Sequence, residues 1–205
     1  MTDVTVENNT LVDSKGGIYS EDATSLVVSS NTIRDMKDDG IQLKDAALSS
    51  ISVNSINNCE DDAISLLDSS DVTVEDNTLV NSNWGIYSEN STPLAISNNM
   101  MRDMKEDGIE LSNAASSSIS GNSINNCGDP AISLHDPSNI TVEKNTLLES
   151  RQGILSNDAT SLVVRNNTIN NITDDGMNFR RSSSSSISGN LIHNSRIQPH
   201  LQSVA

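Results

Sequence analysis

Aromatic side chains are nearly absent from this chain. Only Phe179, Trp84, Tyr19 and Tyr87 occur in 205 residues, which excludes a globular core built on large rings. Two cysteines, Cys59 and Cys127, exclude a disulfide scaffold. Positive charge is scarce: 12 Lys and Arg stand against 28 Asp and Glu, a net charge of −16. That balance disfavours nucleic acid and anionic membrane surfaces as partners. It suits neutral or cationic glycans, and a cation such as Ca2+, although nothing in the chain requires a cofactor. Apolar runs stay far below the roughly 18 residues of a spanning helix, so no membrane insertion is expected. No charged-then-apolar leader follows Met1.

What is present is a row of asparagines. Asn9, Asn31, Asn54, Asn77, Asn99, Asn122, Asn145, Asn167 and Asn190 recur at a nearly constant step. A fixed step of about 23 residues means a solenoid, one unit per turn stacked on its neighbours. One polar residue type at one place in every turn predicts a ladder of side-chain amides.

Other columns keep step with the asparagines. Three positions before each lie Val6, Val28, Ile51, Val74, Ile96, Ile119, Val142, Val164 and Ile187. Two positions after lie Leu11, Ile33, Ile56, Leu79, Met101, Ile124, Leu147, Ile169 and Ile192. A small residue followed by Ile or Met, as in Gly17-Ile18 and Ala63-Ile64, sits 14 positions before each Asn from Asn31 onward. Each coil therefore reads as three short strands joined by polar bends, in an all-β fold of about 8–9 coils of about 22–23 residues.

A longer repeat overlies the coils. Residues 17–84 and 85–152 are identical at 43 of 68 positions, so a three-coil super-repeat was duplicated. Cys59 and Cys127 occupy the same position in the two copies. They thus lie three coils apart, about 14 Å, too far for a disulfide. Their column also holds Met36, Met104 and Ile172, which points it into the core. One domain is expected over residues 1–198, with a frayed tail at 199–205. Residues 3–11 repeat 71–79 with one change, so the chain opens inside a coil and reads as a segment of a longer repeat protein.

The stretch SSISVNSINNCEDDAISLLDSSDVTVEDNTL resembles the right-handed parallel β-helix repeats of the pectin-lyase-like superfamily. Its style is that of carbohydrate-binding and sugar-hydrolysis repeats, also seen in periplasmic nitrous-oxide-reductase accessory proteins. The resemblance implies a single-stranded right-handed parallel β-helix. It leaves the activity open, because that scaffold hosts lyases, hydrolases, epimerases, tailspikes and adhesins. Asp61-Asp62-Ala63-Ile64 looks like a polygalacturonase acidic segment, while the Gly-His-Gly and Arg-x-Lys motifs have no counterpart here. The accessory proteins imply copper, for which no exposed Met/His/Cys cluster stands at ligand spacing.

Candidate chemistry gathers before the small-residue marker. Asp38-Asp39, Asp61-Asp62 and Glu106-Asp107 form two acidic columns. They read as a Ca2+ site or as caps on the bends. Asp61, Asp62, Glu106 and Asp107 are also the candidates for acid–base catalysis. Near-duplicated surroundings and coils without insertions weigh against catalysis. The outward strand position gives Tyr19, Gln42, Ser65, Tyr87, Glu110, Ser133, Leu155 and Asn178. Of these, Tyr19, Gln42, Tyr87 and Glu110, with Trp84, are the candidate glycan contacts. The large changes between copies are Leu67 to His135, Asp62 to Pro130 and Trp84 to Gln152. His135, His193 and His200 read as surface residues. Three functions remain open: a structural or adhesive segment of an extracellular or cell-surface protein that binds glycans, a polysaccharide lyase or hydrolase, and a rod that self-associates end to end.

Overall fold

The structure is a computed structural model that describes residues 4–195 and 200–201. Strands follow in chain order, three to a coil, beginning with β1 (Val4–Glu7), β2 (Thr10–Ser14) and β3 (Ile18–Glu21). Every third strand stacks on the last, giving three nine-stranded parallel sheets. The chain is thus the expected parallel β-helix. No helix among the described residues is long and apolar enough to cross a membrane. From the tail, His200–Leu201 pairs with Met177–Arg180. The remainder of 199–205 lies outside the described residues.

Register explains the core. Val28 pairs with Val6 on one side and Ile51 on the other. Ile56 pairs likewise with Ile33 and Leu79. Like side chains therefore stack at the ladder spacing, about 4.8 Å, and the inner columns are fully buried from Val28 to Ile169. Each such aliphatic contributes about 1.5–3 kcal/mol of burial. Cys59 pairs with Met36 in this lumen, and both cysteines are free and buried. Burial pushes the Cys59 thiol up to about 11 and that of Cys127 to about 12.

The asparagine ladder forms as the spacing predicts. Asn54 donates its backbone N–H and its Nδ2 to Asn77 Oδ1 at 2.9 and 3.0 Å. Its Nδ2 also reaches the carbonyls of Val28 and Ser52, both at 3.0 Å. The side chain thus satisfies backbone groups of a bend that no strand can pair. The residue before each ladder Asn is left-handed, as at Ser30 (φ 57°), Asp76 (φ 55°) and Asn98 (φ 56°). Val53 occupies this position at φ 58°, where a β-branched side chain is strained. Its counterpart in the second copy is Gly121. Val53→Asn is expected to stabilise the fold by about 1 kcal/mol, read as a higher midpoint in urea. An unchanged or lower midpoint contradicts the strain.

The small-residue marker has a steric cause. A Cβ at Gly40 would lie 2.7 Å from the Ala63 carbonyl oxygen and 2.6 Å from Ile56 Cγ2. Ala63 and Ala131 stand where the following step is shorter by one.

Candidate functional site

The third sheet carries the candidate residues. After β3 it contains β6 (Ile41–Lys44), β9 (Ile64–Leu67), β12 (Ile86–Glu89), β15 (Ile109–Ser112), β18 (Pro130–His135), β21 (Gln152–Asn157) and β24 (Met177–Arg180). Pairing sets Tyr19, Gln42, Ser65, Tyr87, Glu110, Ser133, Leu155 and Asn178 side by side. The acidic bends flank this column because each strand follows its bend directly.

The two acidic columns differ. Asp39, Asp62 and Asp107 are buried, whereas Asp38, Asp61 and Glu106 are partly or fully exposed. Asp39 caps the bend above it: its Oδ1 accepts the Asp62 N–H at 3.0 Å and its Oδ2 accepts Gln42 Nε2 at 2.7 Å. Asn178 holds Asp175 in the same way at 2.8 Å. Burial, opposed by the Asp62 N–H and aided by Asp61 and Asp38, leaves Asp39 at about 6. Burial and the neighbouring charges of Asp39 and Asp61 push Asp62 up to about 8. Asp107 is pushed to about 8 by burial, then by Glu110 and Asp129. A hydrogen bond shared with Asp129 raises Glu106.

Asp38, Asp39 and Asp61 offer carboxylate oxygens within 4.8 Å of one another. Such hard donors suit Ca2+, although both Asp39 oxygens already accept hydrogen bonds. Asp38 and Asp39 also line a cleft of about 420 Å3 with Lys15, Tyr19 and Gln42. Asp62, Glu106 and Asp107 stand outside this trio. Asp62 and Asp107 flank Trp84 in one column, two coils and about 10 Å apart.

Trp84 and Tyr87 form a tilted pair, ring centroids 6.2 Å apart at 58°. The Trp84 indole N–H donates to Glu110 Oε2 at 3.1 Å. Tyr19 donates to Glu21 at 2.9 Å, and Lys44 to the same carboxylate at 2.7 Å. His135 is a surface residue with an unexpected partner. Its Nε2 lies 3.9 Å from Glu110 Oε1 and 3.1 Å from Ser133 Oγ. The signal for it was the change from Leu67 between copies. His193 lies exposed and apart.

Three stacked parallel sheets define a right-handed parallel β-helix. The chain belongs to the family described as "Periplasmic copper-binding protein (NosD)", whose model matches residues 2–139; residues 81–201 match "Right handed beta helix region". Three solved structures are similar. The periplasmic alginate epimerase AlgG has TM-score 0.76 at 17% identity, over 90% of this chain and 50% of that one. The Azotobacter vinelandii mannuronan C-5 epimerase AlgE4 A-module has TM-score 0.69 at 14% identity, over 88% and 63%. An alginate lyase from Paenibacillus sp. str. FPU-7 has TM-score 0.72 at 14% identity, over 95% and 80%. The chain therefore spans about half to three-fifths of either epimerase structure. At these identities the likeness shows the fold alone. No curated protein sequence matches the chain.

The residues here do not fit copper. Among the described residues the one group of three or more His, Cys, Asp or Glu at ion-sharing distance is the all-carboxylate trio, which lacks the nitrogen and sulfur donors copper prefers. Cys59 and Met36 stack in the dry lumen, where the thiol keeps its proton.

Proposed function

We propose that this chain is a glycan-binding β-helix segment of an extracellular or cell-surface protein, with a polysaccharide lying along the third sheet across the coils. The Trp84–Tyr87 pair beside Glu110 carries this reading. Aromatic rings take the C–H faces of sugars, while carboxylates and amides take their hydroxyls. Gln42 and Glu110 supply such groups on one face. The alginate-acting proteins of the same fold support it, as does the periplasmic setting named for the family and for AlgG. Coils of nearly constant length leave no insertion to wall a cleft, which favours binding over cleavage.

Trp84 is the sole tryptophan, so its fluorescence reports on the site. A saturable change is expected on titration with oligosaccharides. Tyr87→Ala should weaken that binding about tenfold, the loss of roughly one aromatic contact. A panel of neutral, cationic and anionic oligosaccharides that leaves the emission unchanged would sink the reading.

A further inference from the structure

Three differences between the copies meet at one place. In the first copy the buried Asp39 holds two donors, the Asp62 N–H and Gln42 Nε2. Its counterpart in the second copy is Asp107. There Pro130 replaces Asp62 and has no N–H to give. Glu110 replaces Gln42 and has no amide. Asp107 therefore keeps neither donor. It is 6% exposed, and its Oδ1 is buried without a partner. The third change, Leu67 to His135, places an imidazole beside Glu110.

Two ionised carboxylates cannot stay adjacent in such a setting without donors. Burial, then the charge of Glu110, raises the Asp107 carboxyl to about 8, which favours its protonated form with Glu110 as the neighbouring acceptor. The pair then carries one proton and one negative charge. Most charged groups around it are acidic, and Arg151 offsets one of them by pairing with Asp129 at 2.6 Å. Glu106 and Asp129 act from the bends, Asp62 from the acidic column beyond Trp84, and Glu89 from β12. Among the described residues, His135 on β18 is the basic group in contact with Glu110, at 3.9 Å. Trp84 and Tyr87 supply ring faces at the rim.

We propose that Asp107 and Glu110 form a one-proton carboxyl pair that receives a primary ammonium group of an amine-bearing glycan against Trp84 and Tyr87. The inference rests on the glycan-binding reading and names its ligand class. An ammonium offers three donors to a site that has lost its own, and the rings attract it as a cation. Docking expels the shared proton to solvent. Two negative charges then face one ammonium, and the charges and protons balance. A uronate chain is repelled by the same surroundings.

The test is calorimetric titration with a glucosamine oligosaccharide at about pH 6, below the Asp107 titration at about 8. Two buffers of different ionisation enthalpy count the proton. The N-acetylated oligosaccharide and a uronate oligosaccharide run beside it. The amine form should bind at least about tenfold more tightly than the N-acetylated form and release up to about one proton. Glu110→Gln should abolish that preference, and its amide oxygen can still accept the Trp84 indole N–H, which keeps the local structure. Asp107→Asn should keep binding and lose the proton release. Pro130→Ala, which returns an N–H beside Asp107, should diminish the release. Equal affinity for the amine and N-acetylated forms, or proton release that survives Asp107→Asn, overturns the ammonium site while leaving glycan binding in place. Trp84 emission that responds to no oligosaccharide overturns the reading beneath both.

Discussion

Asn99→Ala is expected to destabilise the fold by about 4 kcal/mol or more, a large part of the 5–15 kcal/mol typical of a domain. Asn99 Oδ1 accepts both the backbone N–H and the Nδ2 of Asn77, each at 3.0 Å. Its own Nδ2 donates to Asn122 Oδ1 at 3.0 Å and to the Val74 carbonyl at 2.9 Å. Alanine removes all four bonds at a site 1% exposed, where water cannot replace them. Asn77 is left with two orphaned donors, each worth about 1–3 kcal/mol. Val74 and Asn122 each lose a donor as well. The control is Asn81, which donates to Asn58 Oδ1 at 3.1 Å on the exposed surface. Because Asn81 sits at φ 53°, where alanine would be strained, the control variant is Asn81→Gly, which should change stability by less than about 0.5 kcal/mol as water takes over the bond. Urea unfolding followed by far-ultraviolet circular dichroism measures both. Similar losses for the two variants would show that the buried ladder is no stronger than a surface amide contact.

That contrast explains why the fold was legible in the sequence. A buried amide ladder tolerates one residue type at one place in every coil, so Asn9 to Asn190 declare the period. The inner aliphatic columns repeat for the same reason: each side chain packs against its own kind one ladder step away. The outward column from Tyr19 to Asn178 also follows from register alone. Side-chain direction within a bend does not. The spacing shows that Asp38 and Asp39 are neighbours, yet not that Asp39 turns inward to cap Asp62 while Asp38 stays at the surface. Nor does it join His135 to Glu110, which depends on two strands being paired. Comparing the copies position by position carries that signal, since Gln42, Asp62 and Leu67 change together to Glu110, Pro130 and His135.

The inward-turned carboxyls make the fold an acid-favoured one. Asp39 titrates at about 6 in the folded state, and Asp62 and Asp107 at about 8. In the unfolded chain all three release their protons near the ordinary carboxylate value, about 4. Between about pH 4 and 8 the native state therefore holds more protons than the unfolded one, and stability falls as pH rises. The slope is about 1.4 kcal/mol per pH unit for each proton so held. Asp39 contributes below about 6, and Asp62 and Asp107 contribute up to about 8. Glu21, Glu143 and Asp158 act in the opposite sense, because Lys44, Arg165 and Arg181 hold their carboxyls below the usual range. They are exposed pairs, whose small contribution is present at neutral pH and is lost only in strong acid. The melting temperature should accordingly drop steadily from about pH 5 to pH 8 and level off above it. Asp62→Asn should flatten the upper part of that fall, whereas Asp61→Asn, which removes only a neighbouring charge that raises Asp39 and Asp62, should flatten it less. A melting temperature that is flat or rises across this window would mean that the buried carboxyls ionise freely in the folded state. Asp107 would then hold no proton for a bound ammonium to displace, so the stability profile and the calorimetry test the same proton from two sides.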